Sequence, residues 1–242
     1  MYLQHMEMVE LLAIALAPIL FFLTYIYLKD EYEREPLKYL VITFLLGVAC
    51  AYPVIILGEF LANLFQASIH GTPTTIAIYA FFVVAFSEEW VKYLVMRWYN
   101  YPHKEFDEPY DGIMYGSAVA LGFAAIENIL YIFNPEVNGF ETGLVRMFTA
   151  VPAHATFGVI MGYFMGRAKF RVGNQHPFLE RMKGLLAAIL LHGLYDYFLF
   201  LGNGLLALFS FASLVVGIIL AQRAMKMHAD ISPHKEEDSP IV

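Results

Sequence analysis

Six segments of this chain contain no Asp, Glu, Lys or Arg, and each is close to the length that a lipid bilayer requires. They are residues 11–28, 39–58, 71–87, 112–126, 147–166 and 197–222. A transmembrane helix needs about 20 predominantly apolar residues, and the shorter runs reach that length once embedded acids are included. With 59% hydrophobic residues and a mean hydropathy of +0.58, the composition excludes an ordinary soluble domain. The sequence therefore predicts an all-α, polytopic membrane protein.

The number of spans depends on how the last apolar region is divided. From Gly184 to Gln222 the only formal charge is Asp196, and this stretch is too long for one helix. Residues 201–204, Leu-Gly-Asn-Gly, have the composition of a turn and split it in two. We expect a bundle of about seven transmembrane helices, at residues 9–28, 38–62, 73–98, 111–134, 144–167, 182–201 and 204–222.

The basic residues predict the orientation of this bundle, because Lys and Arg in short loops are retained on the cytoplasmic side. Apart from the embedded Lys92, every Lys and Arg falls on one side of the seven-span arrangement except Arg146. The N-terminus is therefore expected outside and the C-terminus inside. We expect one integral membrane domain over residues 1–228 and a short disordered cytoplasmic tail over residues 229–242, which are largely polar.

Three further observations narrow the class of protein. The basic residues are dispersed over several loops, so no nucleic-acid partner is expected. Cys50 is the only cysteine and lies in the second span, which excludes a disulfide framework and a cysteine-rich zinc site. Residues 1–10 carry acids and no Lys or Arg, so the first apolar segment is interpreted as a retained span and not as a signal peptide. Membrane lipid is the expected surrounding.

Ionisable residues inside the third span are the first candidates for a functional site. Such a side chain at the bilayer centre costs about 2.5 to 3.5 kcal/mol on insertion scales, so it needs a reason to be there. Glu88 and Lys92 are four residues apart with the acid first, the better orientation for a helical ion pair. Glu89 is rotated by about 100° from Glu88. We therefore expect Lys92 to neutralise only one of the two acids well, or one acid to extend toward the cytoplasmic edge.

Three later spans carry further ionisable residues. Glu127 follows a stripe of small residues at spacing four, which predicts close helix packing, and the acid itself suits a proton relay or an ion pathway equally well. His154 begins a similar stripe, and a lone histidine of this kind is more often a hydrogen-bonded packing residue. His192 and Asp196 are four apart on one helix face, where a carboxylate orients an imidazole or acts as a ligand beside it.

Together these are two histidines and several carboxylates on four helices. The set suits a zinc site with an activated water, or a metal-free carboxylate and histidine pair that activates water. A proton-coupled transporter or channel using the same groups as a relay is the alternative, and a non-catalytic scaffold is a third hypothesis. No G-x-S-x-G or H-E-x-x-H motif occurs. We expect the third to sixth spans to carry the site and the others to support it.

Four motifs occur in a fixed order on successive spans: Glu88-Glu89-x-x-Lys92, Phe123-x-x-x-Glu127-Asn128, His154-Ala155-x-x-Gly158 and His192-Gly193-Leu194-Tyr195-Asp196. Together they resemble the PrsW family of intramembrane proteases, which is related to the CAAX-prenyl protease and bacteriocin-processing superfamily. The resemblance implies an endopeptidase of the bacterial cytoplasmic membrane that hydrolyses membrane-anchored proteins, such as an anti-sigma factor or a similar regulator.

The resemblance also implies roles for individual residues. Glu88 and Glu89 would activate water, and His192 and Asp196 would be ligands or oxyanion stabilisers. Glu127 stands where the wider superfamily has a histidine. If a metal such as zinc is used, its expected ligands are His154, His192 and Glu127; a metal-free mechanism stays open. The full set of expected catalytic residues is Glu88, Glu89, Lys92, Glu127, His154, His192 and Asp196.

Overall fold

In a computed structural model, which describes residues 8–174 and 176–236, all regular secondary structure is helical. Seven helical segments in these ranges are long and apolar enough to cross a membrane, as the sequence predicted. These spans are Met8–Leu28, Leu37–Phe65, Pro73–Asn100, Pro109–Ile132, Gly139–Lys169, Pro177–Phe200 and Gly204–Asp230. The turn expected at residues 201–204 separates the last two.

Several spans are built from more than one helix. The α-helices are α1 (Met8–Leu28), α2 (Leu37–Ala49), α3 (Ala51–Phe65), α4 (Pro73–Ile78), α5 (Phe86–Val95), α6 (Pro109–Ile132), α7 (Gly139–Phe148), α8 (Ala150–Lys169), α9 (Pro177–Phe200) and α10 (Gly204–Asp230). Two π-helical segments, Tyr79–Ala85 and Met96–Asn100, flank α5. Short 3₁₀-helices cover Val172–Asn174 and Pro233–Glu236.

The second and fifth spans are each divided at a single residue. Cys50 separates α2 from α3, and Thr149, with φ −125° and ψ −75°, separates α7 from α8. In both cases a proline is the third residue of the following helix, Pro53 in α3 and Pro152 in α8. Because proline lacks an N–H and is tolerated in the first helical turn, these residues favour a new helix start. Each of these two spans therefore consists of two helices.

The centre of the bundle is the close contact between α6 and α8. A Cβ atom on Gly162 would lie 2.0 Å from the carbonyl oxygen of Gly112, and one on Gly116 would lie 2.4 Å from that of Gly158. Only glycine permits this approach of two backbones. The two stripes of small residues therefore pack against each other, which confirms their interpretation as a packing surface. This contact brings the far end of α6 beside the start of α8.

The spans differ in how deeply they lie in the protein. In the most apolar window of the fourth span 78% of residues are buried, against 22% in the first, second and seventh spans. The fifth span reaches 67%, and the third and sixth reach 39%. The helices that carry the candidate residues therefore form the interior of the bundle, and the other three expose much of their surface.

The loops that hold most of the basic residues share one face of the molecule. Lys169 donates to the backbone carbonyl of His103 at 2.9 Å, and His234 lies 2.6 Å from Glu33. Ser232 donates a hydrogen bond to Glu108. We call this surface the loop face; that it is cytoplasmic stays a prediction.

The expected tail begins inside a helix, because α10 continues to Asp230. Ser232, beyond its end, is buried against Glu108. Residues 229–236 of that tail are thus helical or packed on the loop face, and residues 237–242 lie outside the described residues. The division into a membrane domain and a tail stays a prediction.

Candidate active site

The third span places three ionisable side chains in the protein interior. Glu88, Glu89 and Lys92 lie on α5 and are 5%, 0% and 1% exposed. The α-helical segment that carries them lies between the two π-helical segments of the span. π-helical turns are rare, and many of them occur at functional sites. The wider turn changes which side chains face the bundle just before the acid pair begins.

Lys92 binds both acids of the pair. Its Nζ atom lies 3.2 Å from Oε2 of Glu88 and 2.8 Å from Oε1 of Glu89, and 4.3 Å from the centre of the Phe123 ring. The expectation that Lys92 pairs well with only one acid is therefore wrong. Residues three and four positions apart are both neighbours on a helix surface, and the flexible lysine side chain reaches between them. One cation thus holds two carboxylates.

His192, on α9, joins the acid pair from the opposite side. Its Nδ1 atom lies 2.9 Å from Oε1 of Glu89, and its Nε2 atom lies 3.3 Å from Oδ2 of Asp196 and 4.0 Å from Oε2 of Glu88. The ring stacks on Phe157 with 4.9 Å between centroids. Each imidazole nitrogen therefore faces a carboxylate, and the aromatic neighbour restricts the tilt of the ring.

A second group of polar residues forms where α6, α7 and α8 meet. Oε2 of Glu127 lies 2.8 Å from Nη2 of Arg146 and 2.8 Å from Nε2 of His154. Nε of Arg146 also donates to Oδ1 of Asn128 at 2.7 Å, and its guanidinium lies over the Tyr131 ring at 4.3 Å. Glu127 thus has one cationic partner and one imidazole partner.

Arg146 is a site residue that the sequence analysis missed. Its position near the start of the expected fifth span indicates only that it lies on the outer side of the bundle. One signal was available: it is the sole basic residue on an otherwise base-free side, two positions inside the fifth span as drawn.

The two groups of polar residues meet at His154, which contacts Lys92 and whose ring lies edge-on to that of His192 with 5.5 Å between centroids. Nζ of Lys92 lies 3.3 Å from Nδ1 of His154, whose other nitrogen faces Glu127. A continuous series of contacts of 4.0 Å or less therefore includes all seven residues singled out in the sequence. They form one cluster inside the bundle instead of a set of separate positions along the spans.

Three of the clustered side chains can hold a metal ion together. Glu88, Glu89 and His192 each offer one donor atom, and these atoms lie within 4.8 Å of one another. Oε2 of Glu89 is buried and has no hydrogen-bond partner among the described residues. One imidazole nitrogen and two carboxylate oxygens are donor types that zinc accepts, so these residues fit a metal centre.

The ligands expected from the resemblance were a different set. Of His154, His192 and Glu127, only His192 belongs to the converging group in the membrane-spanning part of the described chain. Nδ1 of His154 faces the Lys92 ammonium, whose positive charge disfavours a metal cation beside it, and Glu127 is bound by Arg146. Arg146 explains why Glu127 is not part of the converging group, because it supplies the positive charge that this carboxylate needs.

Comparison with known proteins gives a consistent assignment. The model of the PrsW family, described as an intramembrane metalloprotease, matches residues 35–222. A protein named Protease PrsW from Geobacillus kaustophilus is 42% identical over 192 residues, which cover 79% of this chain and 80% of that protein. The proteins of the same name from Halalkalibacterium halodurans and Bacillus subtilis are 40% and 36% identical, over 80% and 79% of this chain and 85% and 84% of their own lengths.

No solved structure matches the chain. The family match nevertheless covers all four motifs, from Glu88 to Asp196, and all seven clustered residues. Seven apolar helices make this a multi-pass membrane protein, and its buried carboxylates and imidazoles are side chains of the kind that can activate water. The chain therefore belongs to the PrsW family of intramembrane metalloproteases.

Proposed function

We propose that Glu88, Glu89 and His192 form the catalytic centre at which this intramembrane protease hydrolyses peptide bonds. The observation that carries the proposal is the convergence of their donor atoms within 4.8 Å in the interior of a membrane-spanning bundle. Three ionisable groups in such a place are costly unless they serve a purpose. His192 lies on α9, far in the sequence from Glu88 and Glu89 on α5. The three side chains therefore come together only when the chain folds.

We assign the role of general base to Glu88. It is slightly exposed, at 5%, whereas Glu89 is fully buried, and it lies farther from Lys92 and lines a groove beside α3. The water that attacks the peptide carbonyl needs an acceptor for its proton within hydrogen-bond reach. Glu88 is the member of the pair that an entering water reaches. It later returns the proton to the leaving amine.

A bound metal ion, which we propose to be zinc, would be held by Glu88, Glu89 and His192 and would lower the pKa of a water molecule. Each carboxylate needs only one oxygen for this purpose, so the second oxygen of Glu88 stays able to accept a proton. Glu89 contacts both Lys92 and His192 and thereby fixes the position of the imidazole.

The remaining residues of the cluster position these three. Asp196 faces Nε2 of His192 and orients the ring. Lys92 balances the charge of the acid pair, and through His154 it is linked to Glu127. We therefore regard Lys92, Asp196, His154 and Glu127 as positioning residues.

The proposed substrates are membrane-anchored proteins with a single span, such as an anti-sigma factor or a similar regulator. The proposed location is a bacterial cytoplasmic membrane, with the N-terminus outside and the loop face in the cytoplasm. Reporter fusions after Asn138 and after Arg171 test this orientation. They are expected to report opposite compartments, and two cytoplasmic reports would contradict the span arrangement.

The decisive experiment measures cleavage and metal content in the same samples. The purified protein is reconstituted with a single-span substrate, treated with a chelator and then resupplied with zinc. We expect loss of cleavage on chelation, return with zinc, and loss of bound metal in His192→Ala, since imidazole nitrogen is a principal zinc ligand.

His228→Ala is the matched control for this experiment. His228 is also a buried histidine, 1% exposed, but it lies on α10 and stacks on Tyr163. This variant is expected to keep its metal and its activity per folded molecule. If cleavage resists the chelator, the metal-dependent mechanism is wrong and the metal-free mechanism takes its place. Full cleavage in both Glu88→Gln and Glu89→Gln would exclude the acid pair as the source of the base.

A further inference from the structure

Three cavities on one side of the bundle share lining residues and form one continuous groove between α1 and α10. The cavity at the loop face and the middle cavity are both lined by Gln222 and Met225. The middle cavity and the one farthest from the loop face are both lined by Phe22, Pro152 and Ile218. Buried residues of α8 lie at its base. We call this feature the α1–α10 groove.

The α1–α10 groove is charged at one end and apolar over most of its length. At the loop face it is lined by the basic residues Lys29, Arg223 and Lys226. Every residue that lines the farthest cavity is apolar, Ala17 and Phe211 among them. An amphiphile with a charged head and hydrocarbon chains has the same division of polarity.

The three basic side chains at the loop-face end are available to a ligand. Lys29, Arg223 and Lys226 are exposed, and within residues 8–174 and 176–236 their side chains make no ion pair, hydrogen bond or ring contact. Other basic residues of the loop face are engaged; Arg167, for example, binds Glu180 at 2.7 Å. The groove thus brings together cations that the protein itself leaves unneutralised.

The charge balance at this end favours an anion. Two acids, Glu31 and Asp230, also line the loop-face cavity. Asp230 is paired with Lys235 at 3.0 Å, so three cations face one remaining acid. The whole chain has a formal net charge of −7, so this local excess of positive charge does not follow from the composition. The retention of basic residues on the cytoplasmic side explains their presence in loops, but not their convergence at the head of an apolar groove.

The length of the groove matches one leaflet of a bilayer. On α1, Lys29 and Ala17 are twelve residues apart, and so are Arg223 and Phe211 on α10. Twelve residues of α-helix extend about 18 Å, and half of a hydrocarbon core is about 15 Å. A transmembrane helix as occupant would need a groove across both leaflets. A single phospholipid with its headgroup at the loop face needs only this length.

The two helices that form the walls lie at the lipid-facing side of the bundle. In the most apolar windows of the first and seventh spans only 22% of residues are buried. The hydroxyl of Tyr25 and the amide of Gln222 join α1 to α10, at 2.9 and 3.1 Å. Elsewhere the groove separates the two helices. An occupant that contacts both walls would therefore strengthen their association and stabilise the folded protein.

We propose that the α1–α10 groove binds one anionic phospholipid, with its phosphate among Lys29, Arg223 and Lys226 and its acyl chains along the apolar part. Ammonium and guanidinium groups form charge-assisted hydrogen bonds to phosphate oxygens, and basic pockets between transmembrane helices suit acidic headgroups. None of the seven clustered site residues lines the groove. The proposal is therefore independent of the proposed catalytic centre.

Lipid titration is the first test. The purified full chain in detergent is titrated with phosphatidylglycerol, or with phosphatidylcholine of the same acyl chains, and bound lipid is counted by native mass spectrometry. We expect one phosphatidylglycerol to bind about tenfold or more tightly than phosphatidylcholine, whose choline group balances the phosphate charge. The midpoint of thermal unfolding should rise only with phosphatidylglycerol. Equal binding of the two lipids would overturn the proposal.

Removing the cations tests the headgroup position. The combined variant Lys29→Gln, Arg223→Gln and Lys226→Gln is expected to lose the preference for phosphatidylglycerol, because each basic residue contributes to the attraction. The matched control carries the same charge change at exposed loop-face residues that do not line the groove: Lys38→Gln, Lys104→Gln and Arg171→Gln. It should keep the preference. A preference that survives in the first variant, or that is lost equally in both, would contradict the proposed site.

Filling the apolar part distinguishes a lipid from a free phosphate compound. Ala17→Phe is expected to weaken phosphatidylglycerol binding several-fold, because the ring occupies the place of an acyl chain. Ala13→Phe, at an exposed alanine of α1 outside the groove lining, is the control and should bind normally. Unfolding midpoints without lipid show that both variants are folded. Equal binding by the two variants, or displacement of phosphatidylglycerol by equimolar glycerol phosphate, would show that no lipid is held there.

Discussion

Two groups of buried or half-buried carboxylates differ in their partners; Glu180, which is buried near the start of α9 and bound by Arg167 and Lys183, belongs to neither. In the active site, Glu88, Glu89 and Glu127 each contact a Lys or Arg side chain, and Asp196 contacts an imidazole. A second group lies on the loop face, and we call it the loop-face carboxylates. Its members are Asp30, Glu35, Glu108 and Asp111. All four are at most 3% exposed, yet none is joined by an ion pair to a basic side chain in the described residues.

The loop-face carboxylates are held by hydrogen bonds from neutral groups. Tyr115 donates to Oε2 of Glu35, and Ser232 donates to Glu108. Asp111 accepts from the backbone N–H groups of Asp107 and Glu108, both at 2.7 Å. Asp30, Glu35 and Glu108 each keep one buried oxygen without a hydrogen-bond partner among the described residues. Neutral donors of this kind compensate a buried charge only in part.

The pKa values of these groups reflect that difference. Burial, assisted by the nearby charges of Glu108 and Glu35, raises the pKa of Asp30 to about 8. Burial also raises the pKa of Glu35 to about 7 and raises the pKa of Glu108. The raised pKa values of Asp30 and Glu35 favour their protonated forms near neutral pH, and a protonated carboxyl group can donate a hydrogen bond.

Burial of an acid is therefore not sufficient to identify a catalytic residue. The acids of the proposed active site sit beside cations and imidazoles fixed on different helices, which supports the part proposed for them in binding and proton transfer. The loop-face carboxylates tie together the α1–α2 loop, the start of α6 and the segment after α10. Their role on this comparison is structural, and the two groups should respond in opposite ways to the same substitutions.

Neutralising one acid in each group gives the largest expected contrast. Glu88→Gln or Glu89→Gln is expected to lower cleavage of a reconstituted substrate roughly 10²- to 10⁴-fold, because a general base or its partner is lost. Asp30→Asn and Glu35→Gln should leave the rate per folded molecule near that of the unmodified protein. Initial rates, normalised to the folded fraction by gel filtration, measure this. An equal loss of cleavage after substitutions in both groups would show that the two groups of acids do not differ in function.

Removing a cation tests whether the active-site group depends on charge balance. Lys92→Met leaves two buried carboxylates without their common partner, and breaking a buried pair costs roughly 3 to 5 kcal/mol. We expect at least a tenfold loss of cleavage and a lower midpoint of thermal unfolding in detergent, with the bundle still folded at room temperature.

Lys169→Met is the control on the loop face for this substitution. Lys169 bonds the carbonyl of His103 and lies 4.5 Å from the centre of the Phe106 ring, so its loss removes one hydrogen bond and a ring contact. A smaller change in unfolding midpoint and near-normal cleavage are expected. If Lys169→Met destabilises the protein as much as Lys92→Met, the special role of Lys92 is not supported.

The fold follows from the sequence to a large extent because lipid restricts the options. Uncharged runs of bilayer length fix the seven spans, and the turn at residues 201–204 separates the last two. The breaks at Cys50 and Thr149 were not predicted, because the uncharged runs continue through both positions. The π-helical segments were missed for a similar reason: apolar residues on all sides give no periodic signal for a local change of helix type.

The seven candidate residues could be selected from the sequence, but the pattern of contacts among them could not be predicted. Motif order indicated which helices contribute, and the small-residue stripes explain why Glu127 and His154 come within 2.8 Å. The sequence marks Arg146 only as an isolated basic residue, because its contact with Glu127 depends on how α7 packs beside α6. The double pairing of Lys92 depends on side-chain reach, which spacing alone does not give.

Arg146 provides a smaller, more specific test of the active-site group. Arg146→Gln keeps a polar side chain but removes the cation that binds Glu127, and we expect a several-fold loss of cleavage. Arg146→Lys should restore part of it. Since Glu127 also bonds His154, the pH profile of cleavage should change in Arg146→Gln, which a purely structural role would not cause. An unchanged profile with reduced stability would make Arg146 a packing residue.

The smallest expected effect concerns the loop-face carboxylates and the pH dependence of stability. In the unfolded chain Asp30 releases its proton near pH 4, whereas in the folded protein its pKa is about 8. Between these values the folded state binds more protons, so the stability contributed by this group is present below about pH 4 and is lost as pH rises toward 8. If nearby cations stabilised the ionised carboxylate, the stability contributed by the group would instead rise with pH.

Asp30→Asn should therefore flatten the decline of stability with pH, because the amide keeps a hydrogen-bonding group of similar shape without the charge. At pH 8 we expect the variant to unfold a few degrees above the unmodified protein, corresponding to roughly 1 kcal/mol, and at pH 5 the difference should be smaller. Thermal unfolding in detergent from pH 5 to pH 8 measures this. Glu136→Gln, at an exposed acid, controls for net charge. An unchanged slope in Asp30→Asn would show that Asp30 is ionised throughout and that the two groups of acids are alike.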